Sequence, residues 1–422
     1  MNNIFDKIKF SRKNKSSPAS TVDGVSGPES ISNRFKTIYE DIFNVHKDGQ
    51  VELLDFLDSI DKNITASDLG YVDKITSPLI RDIISNLHNN KNDVIFNWGS
   101  DALKHGAADL ALHLEVLFKL MLIHGHIPDL FTFCALIPLV KDGKKSKTSS
   151  DNYRLIASSS LILKILDYLI LSIFNQSFMS PHLQFGFQKN LSTTFCTWTL
   201  LESINYFTNR GGAMYVCLLD LTKAFDQVKH DILFKKLSAK VPSVFLRLII
   251  VSYLCQTCCV AWENYNSEIF TACNGVRQGA VASPLYFNAY LDDLFVEMKT
   301  SGYGCYIDDF YYGILGYADD CALLSPSRES LQKMLNICIK YFQDHGIKIS
   351  VNEIESKSKT KCLAFNAISN PAKLSLYNLV LPWVTSAVHL GHTISTDDES
   401  KDIFLPERSI YLQCSPVTTG TG

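Results

Sequence analysis

The apolar run of residues 214–221, which carries a carboxylate at Asp220, constrains the fold more than any other feature of this chain. Tyr215-Val216-Cys217-Leu218-Leu219 is apolar at successive positions, so it predicts a strand buried on both faces. A carboxylate at the end of such a strand is costly unless it is paired or bound to a metal. Downstream, residues 313–318 and 321–324 read as a hairpin with acids at its tip. Residues 330–345 form an amphipathic pattern stopped by Gly346, and residues 347–351 alternate like a strand. From 214 the order is strand, helices, strand, strand, helix, strand. That is the split βαββαβ arrangement of an α+β fold.

Four Asp-Asp pairs compete for a chemical role, at 292–293, 308–309, 319–320 and 397–398. Most such pairs are solvated turns or helix faces. Asp292 and Asp293 follow an expected helix, and Asp397 and Asp398 sit in a polar tail. Tyr306-Ile307-Asp308-Asp309 has the same form as Tyr317-Ala318-Asp319-Asp320, but only the second is flanked on both sides by short apolar strands. The first is expected at the turn feeding that hairpin. A strand-end Asp220 with hairpin-tip Asp319 and Asp320 could hold two Mg²⁺ ions about 3.5–4 Å apart, or Mn²⁺ in their place.

The remaining chain sets limits. Residues 11–34 are rich in Ser, Asn, Lys, Pro and Gly, and residues 1–34 are expected to be a disordered leader. An upstream helical region is expected over 35–105, with Thr76-Ser77-Pro78 as a helix start. Residues 134–140 predict a strand followed by a basic turn, where Lys141, Lys144, Lys145 and Lys147 surround Asp142. The formal net charge is −3, so contact with nucleic acid must rest on such local patches. The 12 cysteines are scattered through apolar segments, and Cys255, Cys258 and Cys259 read as buried reduced thiols. His389 and His392 stand without an acidic or Cys partner nearby in sequence, which argues against metal ligation. No apolar stretch follows the basic first fifteen residues, so a secretory signal is not expected. The longest apolar run, 246–262, is interrupted by Arg247, Ser252, Gln256 and Thr257 and is a poor membrane span. The chain is expected not to be secreted and not to meet a membrane.

These residues together resemble the reverse transcriptase of non-LTR (LINE-type) retrotransposons over residues 77–395, with motifs in the family's order. Ile137-Pro138 with Lys141, then Asp151-Asn152-Tyr153-Arg154, resembles the fingers motifs. Gln184-Phe185-Gly186-Phe187 with Ser192-Thr193-Thr194 resembles the segment before the palm. Leu219-Asp220-Leu221-Thr222-Lys223-Ala224-Phe225-Asp226 is similar to the first catalytic motif, and Tyr317-Ala318-Asp319-Asp320 to the second. Gly275-Val276-Arg277-Gln278-Gly279 with Ser283-Pro284-Leu285 resembles the template- and nucleotide-positioning motif. Gly346 with Lys359-Thr360 resembles the motif after the catalytic hairpin, and Trp383 with His389-Leu390-Gly391 the primer grip.

The resemblance implies a right-hand polymerase with fingers over 106–200, palm over 201–365, a primer-grip region over 366–404 and a tail over 405–422. It implies an RNA template, a DNA primer and deoxynucleoside triphosphates as partners, in a nuclear or cytoplasmic ribonucleoprotein. Asp220 and Asp319 would be the main metal ligands, with Asp320 supporting. Lys141 and Arg154 would meet the triphosphate, Gln278 the sugar and base, and Phe225 the underside of the sugar. Lys359 would give a proton to pyrophosphate, with Lys357 and Lys361 as alternatives. Trp383, Leu390 and Gly391 would hold the primer. Few residues follow the primer-grip motif, so the helical thumb is expected to be truncated or missing and the chain to be a fragment. The alternative is a catalytically defective remnant that binds nucleic acid only.

Overall fold

The structure, a computed structural model, describes residues 19–92, 98–367 and 371–396. They form two interleaved units. The first comprises residues up to 182, 221–295 and 340–348, and the second residues 183–220, 296–339 and those from 349 onward.

The first unit is built on a five-stranded sheet. Cys134–Val140 lies between Tyr153–Ser159, antiparallel, and Thr257–Trp262, parallel, and the last also pairs with Tyr265–Asn266 and Phe270–Thr271. Tyr153, Leu155 and Ala157 alternate inward while Arg154 points out, as the period of two requires. Helix Pro28–Ile42 covers this face, burying Ile31, Phe35 and Tyr39 with Leu136, Val260 and Trp262. Helices Ser77–Ser85, Ala107–His124, Leu161–Ile173 and Ser243–Leu254 belong to the same unit. Thr76 occupies the cap position before Ser77, yet the Ser77 N–H donates instead to the Glu115 carboxylate from helix Ala107–His124.

The expected leader is corrected for residues 19–34. Thr21–Val22 pairs with Val25–Ser26, and Asp23 and Gly24 between them have φ of 48° and 79°. Both are left-handed, the requirement of a tight hairpin turn. Asp23 also accepts from the Ser150 N–H at 3.0 Å and pairs with Arg34 at 3.3 Å. Pro28 starts the covering helix, and Val22 and Ile31 are buried in the core. The Gly, Ser and Pro content of this stretch is turn and helix-start chemistry. Residues 1–18, with their lysines, lie outside the described residues, as do Asp397, Asp398 and the tail.

The second unit carries a four-stranded antiparallel sheet in the order Ile314–Tyr317, Asp320–Ser325, Met214–Leu219, Lys361–Phe365. Val216 and Cys217 are fully buried, as an apolar run on both faces predicts. Helix Arg328–Asp344 buries Leu331, Met334, Leu335 and Cys338, the spacing of one helix face. The last strand differs from expectation. Residues 347–351 contribute only the short strand Lys348–Ile349, outside this sheet, and Lys361–Phe365 takes the fourth place. The reason is burial. Only every second residue of 347–351 is apolar, whereas Cys362 and Leu363 in succession are both sealed against Cys217 and Val216. The βαββαβ order is kept with its final strand moved.

The 246–262 run divides into helix Ser243–Leu254 and strand Thr257–Trp262. Among the described residues, no helix is long and apolar enough to cross a membrane. The described cysteines are free thiols, with Cys258 and Cys259 buried and Cys255 exposed.

Candidate active site

The acids of the second unit meet at one end of its sheet. Tyr317 and Asp320 close the hairpin, leaving Ala318 and Asp319 as a two-residue turn. Cys321 pairs with Leu219, so the register extended by one residue sets Asp320 across from Asp220. The apolar run, the tight turn and the antiparallel register therefore bring Asp220, Asp319 and Asp320 to the same sheet end.

The turn is strained and held from behind. Ala318 has φ of 58°, a left-handed conformation that costs a residue with a Cβ about 1–2 kcal/mol. Gln184 is 1% exposed, and its Oε1 accepts from the Ala318 N–H at 2.9 Å and the Gly186 N–H at 3.0 Å. Its Nε2 donates to the Ala318 carbonyl at 3.4 Å. The Phe185 N–H donates to the Gly316 carbonyl at 2.7 Å, and the Gly316 N–H donates back to Leu183 at 2.9 Å. Gly186 lies so close that a Cβ there would stand 2.3 Å from the Ala318 nitrogen. Gln184, 134 residues from Ala318 in sequence, and Gly186 thus fix the acidic turn from a distant part of the chain.

Electrostatics follow from this packing. Burial raises the Asp220 carboxyl above its ordinary range, while Lys359 and a Ser350 hydrogen bond oppose that shift. Lys359 Nζ stands 3.9 Å from Asp220 Oδ1. Its neighbours Ser358 and Thr360 are buried, and Thr360 Oγ1 accepts from the Asp220 N–H at 3.2 Å, which presents Lys359 beside the acid. Lys357 sits in the turn Glu355–Lys357 and Lys361 starts the fourth strand. Burial and the nearby Asp320 charge push the Cys196 thiol up to about 12.

Among the described residues, no three His, Cys, Asp or Glu side chains form a ready-made metal cage. The donor set at the sheet end is nonetheless wholly carboxylate, the chemistry of a hard cation. Mg²⁺ is commonly held by one or two carboxylates with substrate phosphates and water completing the shell, so an open set of this kind fits it.

The competing Tyr306-Ile307-Asp308-Asp309 forms a separate hairpin, Tyr306–Ile307 against Phe310–Tyr311, with Asp308 and Asp309 at an exposed tip. Asp292 and Asp293 lie on helix Ser283–Thr300 and pair with Lys240 and Lys236, both at 2.9 Å.

The first unit gathers a different group. Asp226, 5% exposed, accepts from Gln278 Nε2 at 2.6 Å. Burial raises its carboxyl to about 6, opposed by Gln278 and by the charges of Lys223, Lys141 and Arg154. Lys141 Nζ donates to the Asp151 carbonyl at 3.0 Å in the basic turn. Arg154 points outward from strand Tyr153–Ser159. Phe225 is half-buried and stacked on Phe287, with centroids 4.2 Å apart and planes 15° from parallel. The Gln278 carbonyl accepts from the Ala157 N–H at 2.6 Å. Gly279, with φ of 99°, permits that approach, since a Cβ there would meet Ile156 at 2.9 Å.

The expected primer-grip residues lie in the second unit. Trp383 packs edge-on to Tyr215 at 5.9 Å, on a segment bonded to Cys362. Leu390 and Gly391, with φ of 50° and 83°, form the turn between Ser386–His389 and His392–Ser395. His389 is buried and its ring is pushed down to about 4 by burial. Sequence reasoning gave no role to Gln184, Gly186 or Asp226. Their signal was present, since all three stand inside the quoted motifs.

The family described as reverse transcriptase (RNA-dependent DNA polymerase) matches residues 143–394. The chain is 24% identical over 265 residues to a Pol polyprotein of the type-2 retrotransposable element R2DM of Drosophila melanogaster, covering 60% of this chain and 24% of that protein. It is 25% identical over 323 residues to a Pol polyprotein of the type-1 element R2 of Popillia japonica, covering 75% of this chain and 45% of that protein. The chain thus spans less than half the length of these relatives. A solved apo telomerase of Candida tropicalis, truncated from its C-terminal domain, is similar at a TM-score of 0.41 and 13% identity, covering 74% of this chain and 62% of that one. The chain belongs to the reverse transcriptase family, in the group of non-LTR retrotransposons.

Proposed function

We propose that this chain is an RNA-directed DNA polymerase that adds deoxynucleotides to the 3′ end of a DNA primer along an RNA template. The observation that carries the reading is the braced turn that sets Asp319 and Asp320 at the sheet end where Asp220 leaves its strand. Asp220 and Asp319, with Asp320 in support, would hold two Mg²⁺ or Mn²⁺ ions. The chemistry supplied by such a pair is activation of the primer 3′ hydroxyl and charge stabilisation of departing pyrophosphate.

The chain's own groups do the rest in this reading. Lys359, beside Asp220, would give a proton to the leaving pyrophosphate. Lys141 and Arg154 would take triphosphate oxygens, for which a planar guanidinium is well shaped. Gln278 would meet the sugar and base, and Phe225 the face of the sugar. Trp383, Leu390 and Gly391 would hold the primer. The fingers would run over 106–200, the palm over 201–365 and the primer-grip region over 366–404, within a ribonucleoprotein. The test is extension of a labelled DNA primer on an RNA template with Mg²⁺ and, separately, Mn²⁺. Extension dependent on the metal supports the reading. Binding of primer–template without extension under either metal would instead mark a binding-only remnant.

A further inference from the structure

We propose that Asp226 is a positioning residue that fixes the amide of Gln278, holding its NH₂ group inward so that its carbonyl oxygen is the end offered to the incoming nucleotide. The inference rests on the polymerase reading above. It assigns to Asp226 a role that the motif containing it does not state.

The geometry is specific. The side-chain hydrogen bond to the Asp226 carboxylate among the described residues comes from Gln278 Nε2 at 2.6 Å. An ionised carboxylate can only accept, whereas an amide has one donating end and one accepting end. The bond therefore admits one orientation of the amide. With burial raising it to about 6, the carboxyl is still mostly ionised at neutral pH.

Both partners are fixed through their backbones. Asn274 Nδ2 donates to the Asp226 carbonyl at 2.7 Å, and the Asp226 N–H donates to Lys223 at 2.9 Å. Gly275, with φ of 87°, lets the two segments close, because a Cβ there would stand 2.8 Å from the Asp226 carbonyl oxygen. The Val276 N–H donates to the Phe225 carbonyl at 2.8 Å, and Gln278 is bound to Ala157 at 2.6 Å. Residues 225–228 and 274–278 thus grip each other immediately around the pair.

Stability does not account for the acid. A buried carboxylate is costly, and a neutral amide returns less for it than a salt bridge would. Lys223, Lys141 and Arg154 are near enough to act on it electrostatically, yet its side-chain hydrogen bond goes to Gln278. An acid kept on such terms beside a nucleotide-facing side chain is accounted for by orienting it.

The test inverts the polarity of the pair in the full chain. Single-nucleotide addition is measured on primer–template for Asp226→Asn, Gln278→Glu and the double variant, with KM for the deoxynucleotide, kcat and Tm recorded for each. Gln278→Glu sets carboxylate against carboxylate and should raise KM about ten-fold or more. Asp226→Asn releases the orientation and should raise KM several-fold with kcat and Tm little changed. In the double variant the new Asn can donate to the new Glu, again leaving an oxygen to face the nucleotide. It should recover KM to within about three-fold of the parent, a coupling that independent sites do not show. A double variant whose KM is the product of the single effects, in folded protein, overturns the proposal. A parent chain that extends no primer overturns the polymerase reading and this inference with it.

Discussion

Replacing Gly186 by Ala presses one methyl group against the acidic turn. The added Cβ would lie 2.3 Å from the Ala318 nitrogen, 3.0 Å from the Tyr317 carbonyl carbon and 3.1 Å from Gln184 Oε1, whereas ordinary contact begins at 3.4 Å. The nearest atoms are backbone, so a rotamer change cannot relieve the clash. The turn must retreat by roughly 1 Å, carrying Asp319 with it and loosening the Gln184 bonds to Ala318. Overpacking of this kind costs about 1–3 kcal/mol of stability. A 1 Å misplacement of a reacting group costs about 10²-fold in rate. We expect Gly186→Ala to fold with a lowered Tm and to lose about two orders of magnitude in primer extension. Gly143→Ala is the control, since a Cβ there meets nothing within 4 Å. Parental Tm and a rate within three-fold of the parent would refute the bracing argument.

The acids themselves give a sharper contrast. Asp220→Asn or Asp319→Asn should reduce extension by on the order of 10³-fold in folded protein, while Asp308→Asn on the exposed hairpin should leave the rate near parental; equal losses at 308 and 319 would mean that the wrong hairpin was chosen. Phe225→Val should admit ribonucleotides, shifting the incorporation ratio by about ten-fold or more, whereas a purely structural ring predicts lower Tm with an unchanged ratio. Replacing Lys144, Lys145 and Lys147 by Ala should flatten the dependence of primer–template affinity on salt, as measured by titration at several ionic strengths; an unchanged slope would remove that turn from the nucleic-acid surface. His230 is 3% exposed, bonds to the Gly275 carbonyl at 2.8 Å and is pushed down to about 4 by burial. Its unfolded form binds a proton first as pH falls from about 6.5, so its contribution is present above that pH and is lost toward 4, by up to about 3 kcal/mol. In Tm-against-pH profiles, His230→Gln should shallow the decline across that window.

Much of this arrangement was legible because it is local. The apolar run 214–219, the hairpin with Asp319 at its turn and the helix after it are each fixed by neighbours in sequence. What sequence could not supply was partnership at a distance. Alternation drew attention to 347–351, but which strand flanks Met214–Leu219 is settled by the burial of Cys362 and Leu363. Asp23-Gly24 between valines is a hairpin signal, obscured there by the polar composition around it. Gln184 and Asp226 look like ordinary polar residues until Ala318 and Gln278 are placed against them. The same holds for Arg277, whose guanidinium lies 4.1 Å from the Tyr253 ring centroid and whose Nε donates to Gln256 at 2.7 Å.

The interleaving of the two units bears on how such a chain is made. The peptide passes between them at 182, 220, 295, 339 and 348, so neither is a continuous stretch of sequence. Met214–Leu219 is a central strand, yet both of its neighbours, Asp320–Ser325 and Lys361–Phe365, are translated after it. Until about residue 325 has left the ribosome, this apolar segment has two unpaired edges, and one edge stays open until 365. At about 5–20 residues per second the wait for the second edge lasts roughly 7–30 s. Over that interval the segment on which Asp220 depends is open to pairing with another chain. A nascent polypeptide ending between 220 and 320 should therefore aggregate or engage a chaperone, and protection of 214–219 against hydrogen exchange should become complete only once 361–365 is present.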